Sequence, residues 1–158
     1  MLTDFTFKDT GITVKIKKVS PMVVDDVRAS IPEPLPPEQE VDYGEPRGKV
    51  MERNYSDPNY ALELEAHNKK VAALVQKVIV NRAVILEGDE WRKEVQDYRD
   101  FILSSTGYPL AETDDVLVYI LRVCVGSKED MSDLIDAIIK RSQPTQEAVE
   151  QAKRSFRG

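Results

Sequence analysis

The sequence has few of the residues from which catalytic sites are commonly built. It contains one cysteine, Cys124, and one histidine, His67. A single cysteine cannot form an intramolecular disulfide, and a nucleophile–base pair would have to come from these two residues. Phosphate-binding GxxxxGK[ST], zinc-binding HExxH and cysteine pairs at zinc spacing do not occur. Glu94 and Asp97 could meet in a carboxylate hydrolase, but their spacing gives this no support. We therefore expect a protein that is not an enzyme and uses no cofactor and no metal.

An excess of positive charge and long apolar runs are also missing. The 28 acidic residues outnumber the 22 Lys and Arg residues, and the net charge is −6. Binding to a nucleic-acid backbone needs a basic face, whereas the small basic clusters at 15–18 and 153–157 are typical of solvated charge. No apolar run approaches the roughly 20 residues that span a membrane, and the N-terminus does not resemble a signal peptide. We expect a soluble protein of a reducing compartment, with no nucleic-acid or membrane partner.

The first third of the chain predicts β-structure. Apolar and polar residues alternate on both sides of a turn within residues 4–19, a pattern typical of a β-hairpin. Ser-Pro at 20–21 then predicts the start of a short helix. Prolines at 32–37 predict an extended arm. Charged stretches within 38–55 predict a second hairpin, which we expect to join the first in one sheet.

The longest periodic segment, 57–86, predicts a long helix. Asp57 suits the N-cap and Pro58 the first helical position. Apolar residues then recur at alternating steps of four and three, which is compatible with a coiled coil and with an ordinary core-facing stripe. His67 and Asn81 interrupt this seam. Polar seam residues can specify register in self-association, but we favour the interpretation that both face solvent and that the helix is the spine of a bundle.

The remaining sequence predicts shorter helices joined by short loops. Segment 90–105 has a stripe of aromatic and aliphatic residues, which we interpret as core packing. Segment 114–125, with Thr113 as its expected cap, is apolar nearly all round and should be the buried centre of the core. Segment 127–141 has a clean apolar face, and a last helix is expected from about 145.

These elements predict an α+β, mainly α, fold class, in which N-terminal β-hairpins precede an antiparallel helical bundle of about five helices. The predicted organisation is a β-rich region at 1–55 with the Pro-rich arm, a helical bundle at 56–142, and a C-terminal helix or tail at 143–158.

A partner-binding surface is predicted on the late helices. Few elements follow these helices to cover their apolar faces, and a narrow apolar stripe on a terminal helix is weakly held. The predicted binding residues are Met131, Leu134, Ile135, Ile138, Val149 and Phe156.

Three motifs follow one another in the middle of the chain. The Pro-rich arm PEPLPP at 32–37 precedes the charged hairpin VDYGEPRGKVMERN at 41–54, and SDPNY at 56–60 opens the long helix. In this layout, residues of about 31–140 resemble the small proteins encoded in the tail modules of long-tailed bacteriophages, in particular tail assembly chaperones. The N-terminal hairpin is a departure from that pattern.

The resemblance implies a non-enzymatic protein of the host cytoplasm. Such chaperones bind the tape-measure protein, keep its helices soluble and help to recruit the tail tube protein. The resemblance also implies a longer frameshifted product, with a second domain after about residue 150. Helix-in-groove contacts would suit this client, and the acidic charge would keep the complex soluble.

Two other functions stay open. One is a structural virion protein, such as a head–tail connector or a tail-completion subunit, that self-assembles through its hairpins. The other is a host or phage regulatory adaptor, an acidic protein that binds some protein partner. The sequence leaves homo-oligomerisation open in each case.

Overall fold

The computed structural model describes residues 2–142 and 153–154. The chain divides into two compact units, which are treated separately below. Unit 1 combines Met1–Val23 with Gln76–Gly158, and unit 2 is Val24–Val75. The first hairpin therefore groups with the late helices, and the long helix belongs to both units.

The secondary structure confirms the α+β, mainly α, fold class. Antiparallel strand pairs come first and helices make up most of the remainder. In chain order the elements are β1 (Thr3–Thr6), β2 (Thr13–Ile16), α1 (Met22–Ala29), β3 (Glu38–Asp42), β4 (Lys49–Arg53), α2 (Pro58–Ala83), β5 (Val84–Ile85), α3 (Glu90–Thr106), α4 (Asp115–Val118), a π-helical segment (Tyr119–Cys124) and α5 (Lys128–Ser142).

The sheet of unit 1 has the strand order β1-β2-β5, with antiparallel pairing throughout. The prediction that the long helix continues to residue 86 is wrong, because α2 ends at Ala83 and Val84 pairs with Ile16. A two-stranded hairpin is marginal alone, and β5 supplies its third strand. Val84 and Ile85 are β-branched, a side-chain type that favours strands. The periodicity of so short an apolar run, however, does not distinguish a strand from the end of a helix.

The two hairpins do not share a sheet, so that expectation is also wrong. Strands β3 and β4 form a separate two-stranded sheet in unit 2, while β2 pairs with β5. The apolar face of the first hairpin belongs to the core of unit 1, where Phe7 is fully buried. The second hairpin has charged strands with no comparable apolar face, so burial does not draw it into that sheet.

The core of unit 1 is built from the first hairpin, the π-helical segment and α5. Phe7, Ile120, Cys124 and Leu134 are each 0% exposed. Burying a large apolar side chain contributes about 1.5–3 kcal/mol, so each of these residues adds appreciably to the stability of the unit. All apolar side chains of segment 114–125 are buried or half-buried, which confirms the predicted centre of the core.

The turn of the first hairpin is bonded to the start of α5. Asp130 is 2% exposed, and its carboxylate accepts hydrogen bonds from the backbone N–H groups of Gly126 at 2.9 Å and Asp9 at 3.4 Å. The Thr10 hydroxyl donates to the carbonyl oxygen of Cys124 at 2.7 Å. A buried carboxylate must find donors, and here the donors come from the two segments that it joins.

Two helix starts of unit 1, those of α4 and α5, use side-chain caps. Ser127 accepts from the N–H of Asp130 at 3.3 Å, as expected for the N-cap of α5. The cap of α4 is Asp114, whose carboxylate accepts from the N–H of Leu117 at 3.1 Å, so the assignment to Thr113 is wrong. Thr and Asp are both good N-cap residues. Because Thr113 and Asp114 are adjacent, the sequence does not show which of them caps the helix.

Unit 2 contains the second hairpin and the first part of α2. The predicted hairpin is confirmed, with Val41 opposite Val50 in an antiparallel register. The predicted helix start is also confirmed, since the Asp57 carboxylate accepts from the N–H of Tyr60 at 2.9 Å. Between residues 24 and 75 only Pro36 and Val71 are buried.

The polar residues of the predicted seam on α2 are not buried. Asn81 is exposed, and its amide donates to the Asp114 carboxylate at 2.6 Å. His67 is half-buried. The solvent-facing interpretation is confirmed for Asn81, whereas His67 is intermediate, and neither forms the buried polar position that a coiled-coil seam would require.

Candidate interaction surfaces

The part of the chain that the structure describes holds no group of three or more His, Cys, Asp or Glu residues able to bind a metal ion. Within the same residues, no helix has the length and apolar character to cross a membrane. Exposed apolar side chains and strand edges are the features of the described residues that suit binding to a protein partner.

The single cysteine lies in the core. Cys124 is fully buried, and burial raises the pKa of its thiol to about 12. Burial is also the main cause that raises the pKa of the neighbouring Tyr119 hydroxyl to about 12. A reactive thiol must ionise near neutral pH, and this one stays protonated, so Cys124 packs as a small apolar residue as predicted.

The aromatic stripe on α3 contributes to packing. Val95 is 2% exposed, and the half-buried Trp91 meets the ring of Tyr119 edge-on, with centroids 6.0 Å apart. Phe101, beside the stripe, is 60% exposed. Trp91 also lines an open groove of about 340 Å³ beside β5. The charged residues of this groove include both acidic and basic side chains. The predicted packing of the stripe in the core is therefore confirmed for the stripe residues, whereas Phe101 lies outside the core.

The predicted binding face on α5 is mostly internal. Met131, Leu134 and Ile138 are 8%, 0% and 1% exposed, so the prediction that they form an accessible surface is wrong. An amphipathic helix shows which of its faces is covered, but the covering elements can precede it in the chain. Ile135 is half-buried and lines an open depression of about 400 Å³ together with Gln76, Lys128, Met131, Ser132 and Asp136. Val149 and Phe156 lie outside the described residues.

Unit 2 exposes more large apolar side chains than it buries. This pattern was not anticipated from the sequence, in which these residues are scattered among charges and prolines. The exposed side chains are Leu35 (68%), Tyr43 (44%), Met51 (59%), Tyr55 (71%) and Leu62 (65%). Exposed apolar side chains mark protein-binding surfaces where they form a contiguous patch, whereas singly scattered ones are ordinary.

The hydrogen bonds at the two ends of the β3–β4 ladder define its edges. The Tyr43 N–H donates to the Gly48 carbonyl at 3.0 Å, and the Asn54 N–H donates to the Pro37 carbonyl at 2.8 Å. In an antiparallel ladder, hydrogen-bonded residue pairs alternate with non-hydrogen-bonded pairs. The residues of the non-hydrogen-bonded pairs direct their N–H and C=O groups away from the partner strand. These outward residues are Glu38, Glu40 and Asp42 on β3, and Lys49, Met51 and Arg53 on β4, all of them exposed.

The two outward edges carry different charges. The three outward residues of β3 are all acidic, whereas those of β4 are two cations and a methionine. Within the hairpin these opposite charges already form an ion pair, between Arg53 and Glu38 at 3.4 Å. Asp42 lies opposite Lys49 in the register. Each edge therefore complements the other.

The loop end of the hairpin is held by side chains. The Tyr43 hydroxyl is 2.5 Å from a Glu52 carboxylate oxygen, a hydrogen bond that raises the pKa of the tyrosine. The Arg47 guanidinium lies 4.1 Å from the centre of the Tyr43 ring, within the range of a cation–π contact. These contacts stabilise the loop, and no other strand of the described residues pairs with either edge of the hairpin.

Unit 2 thus presents two kinds of surface, exposed apolar side chains and free strand edges of opposite charge. No family model, no curated protein and no solved structure matches the chain.

Proposed function

We propose that this chain is a non-enzymatic tail assembly chaperone of a tailed bacteriophage, which binds the tape-measure protein in the host cytoplasm and assists assembly of the tail tube. The motifs at 32–37, 41–54 and 56–60, which resemble those of tail assembly chaperones, all lie in unit 2. The observation that carries the proposal is the surface of that unit, which exposes five large apolar side chains and buries only Pro36 and Val71.

The proposed client surface is unit 2 instead of the late helices. Leu35 lies in the Pro-rich arm, Tyr55 follows the second hairpin, and Leu62 lies in the first turns of α2. Exposed apolar side chains of this kind can pack on the apolar stripe of a helical client, and fully burying a large apolar side chain contributes about 1.5–3 kcal/mol. The net charge of −6 favours solubility of the resulting complex.

Co-expression with the tape-measure protein of the same phage tests this function. The wild-type chain should raise the soluble fraction of the tape-measure protein and elute with it from a size-exclusion column. A triple variant, Leu35→Ser with Tyr55→Ser and Leu62→Ser, should lose most of this effect, because it removes apolar contact area from a surface that the folded chain does not bury.

The matched control replaces three exposed apolar residues of unit 1. Phe101, Leu103 and Tyr108 are 60%, 49% and 76% exposed, and their triple serine variant should solubilise the client as the wild type does. The proposal is overturned if the wild-type chain leaves the tape-measure protein insoluble, or if the unit 2 variant is as effective as the control.

A second function, a structural virion protein that self-assembles, is favoured by the free edges of the β3–β4 hairpin. Mass spectrometry of purified virions separates the two functions. A chaperone that leaves the particle should be absent from virions or present in trace amounts. A copy number similar to that of the tail structural proteins would decide for the virion protein.

A further inference from the structure

The β3–β4 hairpin is an incomplete sheet by the standards of folded proteins. In the part of the chain that the structure describes, neither strand pairs with a third one. A lone two-stranded hairpin is marginal in water, and an exposed edge is a template for pairing with another strand. The five-residue strands are long enough to accept such a partner.

Symmetric pairing of two copies is opposed by charge. If β3 of one copy paired with β3 of another, Glu38, Glu40 and Asp42 would face carboxylates. If β4 paired with β4 in an antiparallel register centred on Met51, Lys49 of one copy would face Arg53 of the other. Like charges directly opposite one another destabilise a strand pair, so both edges disfavour a two-fold dimer.

Pairing of unlike edges is favoured by the same charges. With β4 of one copy beside β3 of the next, the register within the hairpin can be repeated between copies. Lys49 would then face Asp42, Met51 would face Glu40, and Arg53 would face Glu38, as they do across the hairpin itself. The outward N–H and C=O groups of both strands would be satisfied in the same step.

From these observations we propose that copies of this chain associate head to tail, the outer edge of β4 pairing antiparallel with the outer edge of β3 of the next copy. The occupant of each edge is a second copy of the same chain. This interface is heterologous, so each pairing leaves one free edge at either end, and the array grows until it closes into a ring or continues as a filament. The inference does not depend on the identity of the client.

Two proline variants block the edges separately. Glu40 and Met51 direct their N–H groups outward, so a proline at either position removes a donor that the hairpin itself does not use. Glu40→Pro closes the β3 edge, and Met51→Pro closes the β4 edge. Glu40→Gln and Met51→Val keep the N–H group and serve as controls.

Sedimentation velocity with light scattering measures the result. The wild type and both controls should form oligomers that grow with concentration, whereas each proline variant alone should be monomeric. An equimolar mixture of the two proline variants should form dimers and nothing larger, because the open β4 edge of one fits the open β3 edge of the other. Slow amide exchange at Val41 and Val50 would show that the hairpin itself is intact in each variant.

Three outcomes would overturn the inference. The wild type could stay monomeric at its highest soluble concentration, the proline variants could assemble as the wild type does, or one proline variant could dimerise alone, which would show symmetric pairing. None of these outcomes changes the solubility assay of the tape-measure protein, whose variants do not touch the strand edges, so the two proposals can fail independently.

Discussion

Gly126 and Asp9 lie so close together that a Cβ atom on Gly126 would stand 2.7 Å from the Cβ of Asp9. Cβ atoms essentially never approach another atom below 3.0 Å, so any side chain at 126 must displace the turn of the first hairpin. The same turn is bonded to the buried carboxylate of Asp130. This contact therefore joins the N-terminal hairpin to the start of α5, and its stability can be tested from both sides.

We expect Gly126→Ala to lower the free energy of unfolding by about 1–3 kcal/mol, the usual cost of inserting a methyl group into a packed site. Urea denaturation of the wild type and the variant measures this difference. Asp9→Gly removes the opposing Cβ, so the double variant should recover much of the loss. A Gly126→Ala protein as stable as the wild type would show that the turn accommodates the methyl group without strain.

We expect Asp130→Ala to cost more than substitution of an exposed acid on the same helix. Without the carboxylate, the N–H groups of Gly126 and Asp9 lose their acceptor in a part-buried site, which costs about 1–3 kcal/mol for each group left unsatisfied. Amide exchange at these two N–H groups should also accelerate. Asp133→Ala is the control, because Asp133 is exposed in α5. Equal losses in the two variants would contradict a linking role for Asp130.

The buried thiol should make the protein less stable in alkali. The pKa of Cys124 rises from 9.0 to about 12 on folding, chiefly through burial. Between these values the unfolded chain releases the thiol proton while the folded chain keeps it, so the folded state binds more protons and stability falls as pH rises. In the middle of this range the thiol lowers the free energy of unfolding by about 1.4 kcal/mol for each pH unit. Below the range it makes the free energy of unfolding no more dependent on pH.

Cys124→Ala should flatten this dependence. Its free energy of unfolding should be lower than that of the wild type near neutral pH, owing to the small cavity, and should decline less steeply above pH 9. Urea denaturation at several pH values measures both effects. Rapid reaction of the native thiol with a disulfide reagent at pH 8 would count against the buried, protonated state.

Local features were predictable because they depend on neighbouring residues. Asp57 caps α2 as expected, the turn chemistry and alternation of the first hairpin placed β1 and β2, and the five-residue loop at 44–48 placed the second hairpin. The core position of segment 114–125 was also predictable, since a helix that is apolar on all sides has no face to present to water. The motifs at 32–60 were recognised in the sequence, but the apolar surface and the free edges that accompany them were not.

The sequence by itself determined the fold class, the order of most elements and the amphipathic faces, because these follow from residue propensities and from periods of two and 3.6 residues. Only the tertiary structure decided which elements meet. In the folded chain Val84 lies in a strand opposite Ile16, and Leu134 is fully buried. The Asp130 carboxylate accepts a hydrogen bond from the N–H of Asp9, 121 residues away in the chain. A hydrophobic pattern states that a face must be covered but does not name the element that covers it, since the hydrophobic effect is non-directional. Likewise, only the folded chain showed that Met131, Leu134 and Ile138 of α5 are buried, and that among the described residues β3 and β4 pair with no third strand.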